Sequence, residues 1–494
     1  MASKLALCAC SLVLVACQRD VTSEVVIIGP NMADPFSGAM GATSVRVGFE
    51  GDPGSVRSVN TSPGARFNLD VRPTNPRSEA RLRVDVLRDR TIIAQGATPP
   101  VAWINVGAQR LTVFVQPADS VALAPGGAML EPRADFQLVP AGVRGAFAFT
   151  IAPGRADARP DWYFLPAHKQ QPYTFSISST FDGDTAVVPL PEGGGVLLLR
   201  GDRAIVTNDT SNGTPPANGI PADRRALRGA SAVSESDYGY VLGGRPEMGP
   251  ASSRIDRVDR LGEIEAVSYA LATGRYRPGV LLLAPRTSAT PSRYLVFGGQ
   301  DPSCASCPAL ERWSPGSAGV AISTTVATMG ASVDRRTEFA AVCVQRDTDL
   351  NCAKVLIVGG VDNATGALAT KDILLDGLCL RSDSPVNCTG TEHELLSVRR
   401  RGVRAAIGSD GRRVVVTGGR DAMNAALYSV DVIDASDLAT LRLAPGTREI
   451  TNADPAVLGM NDGSVMIAGG IDRTTMQPSG AVWFVRGSIA PLAM

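Results

Sequence analysis

Five short apolar segments from the middle of the chain onward end in the same way, with two consecutive glycines. They are Tyr240-Val241-Leu242-Gly243-Gly244, Leu295-Val296-Phe297-Gly298-Gly299, Leu356-Ile357-Val358-Gly359-Gly360, Val415-Val416-Thr417-Gly418-Gly419 and Met466-Ile467-Ala468-Gly469-Gly470. Successive pairs stand roughly fifty to sixty residues apart, the scale of one multi-stranded unit in a repeat protein. Glycine at a strand end permits positive φ, and the missing Cβ lets a neighbouring backbone come close. Another short apolar strand precedes each pair, as in Arg404-Ala405-Ala406-Ile407 ahead of the turn Ser409-Asp410-Gly411. Asn461-Asp462-Gly463 makes the equivalent turn in the last unit, and Asp-Gly is a strong hairpin signal. A third strand follows the glycines, seen in Leu427 to Asp434 and in Leu310-Glu311-Arg312-Trp313.

An apolar strand closed by diglycine, then a Tyr- or Trp-bearing strand ending in Asp, resembles the kelch repeat of β-propellers. Two upstream segments look like degenerate copies: Val196 to Gly201, and Ala146 to Ile151 ahead of Pro153-Gly154. Counting both, the resemblance implies a kelch-like propeller of seven blades over residues 133–494, with six as the alternative. The tryptophan that follows the tyrosine in most kelch blades is largely missing, so the units are divergent.

The rest of the composition agrees with an all-β fold. The 494 residues include 51 glycines and 34 prolines, and no long stretch carries a 3.6-residue period. Upstream of the repeat, strands are predicted at Val25 to Ile28, Val45 to Phe49, Phe67 to Val71, Ala80 to Val86, Thr91 to Ala94 and Arg110 to Val115. In Ala80 to Val86 apolar and charged residues alternate strictly, which predicts one face on a core and the other in water. These strands suit a small β-sandwich of immunoglobulin or transthyretin type over 17–120, acting as a stalk. The Pro- and Gly-containing stretch 121–132 is expected to be a linker. The 48 basic and 48 acidic residues cancel, which gives no reason to expect nucleic acid or an anionic lipid surface as a partner.

At the N-terminus one positive charge, Lys4, precedes the apolar run Leu5 to Ala16, a secretory signal (1–16) too short to span a bilayer. Leu14-Val15-Ala16-Cys17 resembles the lipobox of bacterial lipoproteins, which implies that Cys17 is acylated and becomes the mature N-terminus. Acyl chains contribute roughly 0.8 kcal/mol per buried methylene and would tether the protein to a membrane. Gln18 rather than Asp after the cysteine favours the outer membrane, so the expected location is the cell envelope. Six cysteines remain in three close pairs: Cys304 with Cys307, Cys343 with Cys352, and Cys379 with Cys388. An even count in an exported chain favours disulfides. Zinc competes at Cys304 and Cys307, but no second such pair follows at finger or ribbon spacing.

Two charge patterns recur in the units. Arginines open the first strands, at Arg224 and Arg225, Arg275 and Arg277, Arg335 and Arg336, and Arg400, Arg401 and Arg404. Acidic residues follow the glycines, at Asp301, Asp362, Asp421 and Asp472. In an antiparallel blade the start of strand one lies beside the end of strand two, so both sets are expected around one mouth of the central channel. Arg225, Arg277, Arg336 and Arg401 with the four aspartates form either a mouth for an anionic sugar or peptide, or an architectural ring. Repetition in nearly every unit favours architecture.

Enzyme signatures are sparse. The copper site of galactose oxidase, a kelch propeller, uses two histidines, two tyrosines and a Tyr–Cys crosslink. This chain has only His168 and His393, neither with neighbours at ligand spacing, so no cofactor or metal is expected. Trp162-Tyr163-Phe164 with Tyr173 and Phe175 is the densest aromatic cluster, expected to pack the first blade on the sandwich rather than stack a sugar. The sequence thus points to an envelope-anchored, non-catalytic binding module for another envelope protein or a polysaccharide. A carbohydrate-active enzyme working at the channel mouth, mutarotase-like or lyase-like, is the alternative.

Overall fold

The computed structural model describes residues 24–30, 34–36, 41–62, 71–103, 110–140, 145–149, 161–165, 169–172, 184–190, 195–207, 214–300, 304, 307–322, 324–326, 333–363, 365–383 and 388–492. The chain is all-β, a small N-terminal β-sandwich followed by a β-propeller. Among the described residues no helix is long and apolar enough to cross a membrane. Residues 1–23, with Cys17, lie outside the described residues, as do 67–70 of one predicted strand.

In the sandwich, a four-stranded antiparallel sheet runs in the order Asp52–Asn60, Ser44–Phe49, Leu82–Arg88, Thr91–Ala97. It faces a parallel pair, Glu24–Ile28 and Arg110–Phe114. Val45, Val47, Phe49, Leu82, Val84 and Val86 pack on Leu111, Val113 and Val115, so the alternating strand turns its apolar face inward as expected. Its charged face does not meet water. Arg83 and Asp85 are buried, because the end of the chain crosses that face. The Leu492 N–H donates to Asp85 Oδ2 (2.9 Å), Arg83 donates to the Ala490 carbonyl (2.6 Å), and Arg46 donates to the Leu492 carbonyl (2.8 Å). Gln95 donates to Asp85 Oδ1 and accepts from the Ile489 N–H. Buried polar groups persist only when hydrogen-bonded, and the C-terminal segment supplies those bonds.

Seven sheets follow among the described residues, over 137–172, 186–207, 231–270, 279–321, 340–393, 404–443 and 456–486. Their first strands contact one another in order, and the first strand of the seventh sheet returns to that of the first, closing a ring. The stretch expected to be a linker is a strand. Ser120–Arg133 pairs antiparallel with Ser479–Arg486 as the outermost strand of the seventh sheet, so the ring is closed by joining the start of the propeller chain to its end. Pro125-Gly126-Gly127, which signalled a loop, sits in a bulge: Leu123 stands opposite Trp483, and Ala128 opposite Ala481. Tyr163 of the first sheet packs at 5.2 Å on Phe484 of the seventh, in a core shared with Ile28 and Phe114 of the sandwich. The sandwich is therefore docked on the first and seventh sheets. The side chains of Trp162, Phe164, Tyr173 and Phe175 lie outside the described residues.

The diglycines explain how neighbouring sheets lock. Gly359 and Gly360 have φ of 64° and 100°, a region that L-residues rarely adopt. A Cβ on Gly360 would stand 2.7 Å from the Thr337 carbonyl, just ahead of the first strand of its own sheet, and one on Gly359 would stand 2.8 Å from the Arg400 carbonyl, just ahead of the first strand of the next. The Gly360 N–H donates to that Arg400 carbonyl at 2.8 Å. The same stitch joins Gly244 to Arg275 and Gly470 to Arg133.

Each of the three close cysteine pairs is a disulfide. Cys343–Cys352 joins the first two strands of the fifth sheet, Cys379–Cys388 ties the helix Gly377–Arg381 to the strand Cys388–His393, and Cys304–Cys307 closes a loop of the fourth sheet.

Candidate functional site: the channel mouth

The arginines that open the first strands divide into two sets. Arg224, Arg275, Arg336 and Arg400 are buried within the sheets. Each sends one guanidinium nitrogen to the carbonyl of the first glycine of its own pair: Gly243 (2.7 Å), Gly298 (2.6 Å), Gly359 (3.3 Å) and Gly418 (3.3 Å). In the seventh sheet Asn452 does the same to Gly469 at 2.8 Å. A buried acid on the third strand answers three of these arginines directly: Asp256 at 3.5 Å from Arg224, Glu311 on Arg275, and Asp431 at 2.8 Å from Arg400. Asp372 occupies the equivalent place in the fifth sheet, where it accepts from the Gly359 and Leu395 N–H groups. Burial pulls the Arg336 guanidinium down to about 10, with Asp372 and Glu392 opposing, so it stays cationic at neutral pH. These are structural clamps, and Arg336 belongs to them rather than to the mouth.

The aspartates after the glycines mostly serve their own loops. Asp362 accepts from the Thr365 N–H and hydroxyl, and Arg335 lies 3.8 Å away. Asp421 accepts from the Met423 and Ala425 N–H groups. Asp472 accepts from Thr475 and Thr474, whose N–H groups hold its carboxyl below the usual range. Such bonds close Asx turns, a common task for Asp in loops. Asp301 lies outside the described residues. Arg225 is exposed and donates to the Ile220 carbonyl of its own loop (2.9 Å). Arg401 is half-buried, donating to Asn424 (2.7 Å) with Glu338 at 3.9 Å. Of the two predicted sets, Arg335 and Asp362 meet as an ion pair at 3.8 Å, while Asp421 and Asp472 bond within their own loops.

Of the predicted residues, Arg277 does reach the mouth. It lies just before the first strand of the fourth sheet, and its two terminal nitrogens grip Asp135 at 2.8 and 2.9 Å while Nε donates to Asp184 at 2.9 Å. Asp135 and Asp184 precede the first strands of the first and second sheets. Sheets one and four are not neighbours in the ring, so this fork spans the opening. Burial opposes the Arg277 charge, but the hydrogen bonds and negative charge of Asp135, with Asp184, outweigh it and raise the guanidinium above its ordinary value.

Arg404, the first residue of the innermost strand of the sixth sheet, faces the same space. Its electrostatic neighbours are Arg277, Asp135 and Asp454, from three other sheets. Water reaches the side chain, yet protein crowds it, as expected inside a narrow channel. That crowding, and then the positive charge of Arg277, lower its guanidinium, with Asp135 and Asp454 opposing. The two neighbouring carboxylates are committed elsewhere: Asp135 to Arg277, and Asp454 to Arg420 at 3.4 Å and to the Gly419 N–H. The Arg404 side chain makes no hydrogen bond or ion pair among the described residues.

One positional signal marks Asp135 and Asp454, which the repeating charge patterns did not single out. Two positions after the buried Arg133, Arg275, Arg336, Arg400 and Asn452 stand Asp135, Arg277, Glu338, Gly402 and Asp454, all left-handed, with φ of 51°, 50°, 53°, 65° and 48°. Left-handed non-glycine residues cost of order 1–3 kcal/mol each and gather where a fold displays functional side chains. Among the described residues no cluster of three or more His, Cys, Asp or Glu side chains stands at metal-binding distance. His168 lies outside the described residues. His393 ends a strand of the fifth sheet, with its Nε2 buried and without a hydrogen-bond partner among the described residues.

No family model matches the chain, and no curated protein matches it. Among solved structures it is similar to a fungal alcohol oxidase of the AA5 family, determined in complex with copper. The two share 12% identity over 74% of each chain, with a TM-score of 0.49.

Proposed function

We propose that this is a lipid-anchored protein of the cell envelope whose kelch-like propeller is a non-catalytic binding module. It takes hold of an anionic group of a polysaccharide or of another envelope protein at the channel mouth. One observation carries the reading: Arg404 is a cation held inside the mouth with every nearby carboxylate already engaged. A carboxylate, sulfate or phosphate entering the channel would supply the partner Arg404 lacks, and a charge-assisted bond in such a setting is roughly twice as strong as a neutral one. Arg277, neutralised by its two acids, would act as a rigid wall rather than as a competitor. The pattern Leu14 to Cys17 supports the tether, and the three disulfides suit an oxidising compartment.

The test uses oligogalacturonate and poly-glutamate as acidic probes in calorimetric titrations of the full chain. Arg404→Gln is expected to abolish binding, whereas Arg225→Gln, on the loop surface, leaves it intact. Failure of both probes to bind, or equal affinity in Arg404→Gln, refutes the assignment. Mass spectrometry of the mature N-terminus tests acylation of Cys17 separately.

A further inference from the structure

A groove of about 320 Å³ lies at the outer edge of the propeller, where the third sheet meets the fourth, well away from the inner strands. Its wall is the outermost strand of the third sheet, Ile264–Ala270, and its far side includes Trp313 and Gly316 of the fourth. That strand is irregular. Ala266 pairs with Asp256 and Ala270 with Arg254, so Val267, Ser268 and Tyr269 together stand opposite Ile255. A bulge of this kind re-aims side chains, and here it accompanies a Tyr269 that is 44% exposed beside the groove. Tyr240 and Trp313 lie deeper, edge to face at 5.1 Å. Trp313 is buried, and its indole N–H has no acceptor among the described residues.

Polar groups complete the lining. Arg257 and Glu265 are cross-strand partners joined by an ion pair, and the Arg257 guanidinium lies 4.4 Å from the centre of the Tyr238 ring. Because their charges cancel, the groove offers no net attraction to an anion. What it presents is a donor fork and a carboxylate acceptor side by side, next to an aromatic face. Vicinal hydroxyls match that pair, one donating to Glu265 and its neighbour accepting from Arg257. The C–H face of a pyranose matches the Tyr269 ring. The volume falls near the lower end of the roughly 300–1,000 Å³ of small-ligand pockets, which suits one or two sugar rings rather than a long chain.

We propose that this groove is a second binding site, for a ring of a neutral polysaccharide. It is independent of the channel mouth, because Arg404 and the mouth acids play no part in it. The experiment titrates the full chain with neutral cello-, malto-, manno- and galacto-oligosaccharides, read by calorimetry and by tryptophan emission, since Trp313 lines the site. At least one series is expected to bind saturably and to change the emission. Tyr269→Ala weakens that binding at least about tenfold, Tyr269→Phe keeps the ring and retains it, and Arg404→Gln leaves it unchanged. Absence of binding by all four series, or binding indifferent to Tyr269→Ala, overturns the proposal. Binding of acidic probes alone, lost in Arg404→Gln, would overturn it while leaving the channel-mouth reading standing.

Discussion

Replacing Arg275 by Met removes a cation from one of the most enclosed places in the propeller. Arg275 and Glu311 are both fully buried, and they pair directly. The guanidinium also donates to the Gly298 carbonyl at 2.6 Å, Pro308 at 2.9 Å and Ala309 at 3.4 Å, while Glu311 accepts from the Ala272 N–H at 2.6 Å. Arg275→Met strands the carboxylate and frees the carbonyls, so a loss of about 3–5 kcal/mol is expected. Glu311→Leu leaves the cation buried but still bonded to carbonyls, and about 3 kcal/mol is expected, the low end of the same range. In the double variant no charge is left alone. The remaining cost is that of the unpaired Gly298 and Pro308 carbonyls and the unpaired Ala272 N–H, about 3–6 kcal/mol at 1–2 kcal/mol each. The singles sum to about 6–8 kcal/mol, so at the middle of these ranges the cycle should show a coupling of roughly 2–3 kcal/mol. Urea unfolding of the four proteins, followed by circular dichroism, measures it. Single losses below about 1 kcal/mol, or additive losses in the double variant, would refute the clamp as a buried, mutually dependent pair.

Two further outcomes are expected. Cys343→Ala with Cys352→Ala opens a cross-link with a sequence separation of 9, and chain-entropy reasoning places the loss at about 2–3 kcal/mol; an unchanged urea midpoint under oxidising conditions would contradict it. Burial, partly offset by Asp372, holds the His393 imidazole below its ordinary 6.5. The unfolded chain therefore takes up that proton first, and the His393 contribution is complete above about 6.5 and declines as pH falls below it. Urea midpoints at neutral and mildly acidic pH should show that decline in the wild type and a smaller one in His393→Gln; equal declines would remove His393 as the cause.

Much of the architecture is written in local chemistry. Diglycines after apolar strands announce repeating sheets, because only glycine tolerates both the left-handed backbone at Gly359 and Gly360 and carbonyls within 3 Å of where a Cβ would stand. Cysteines a few residues apart already imply short cross-links. Arginines at strand openings are equally visible, but their roles are not. Arg275 and Arg277 are two residues apart and identical in type, yet one is a buried clamp and the other bridges the mouth.

What separates them is long-range placement. Alternation at Ala80 to Val86 predicted a wet face at Arg83 and Asp85, and residues more than four hundred positions away cover it. Pro125-Gly126-Gly127 read as a linker because a bulge and a loop use the same residues, and only pairing with Ser479–Arg486 distinguishes them. Arg404 is ordinary in its local sequence; it becomes a candidate site because ring closure surrounds it with acids that other arginines have taken. Local sequence sets which backbone shapes are affordable, whereas the partners of a charge depend on chain segments that only the closed ring brings together.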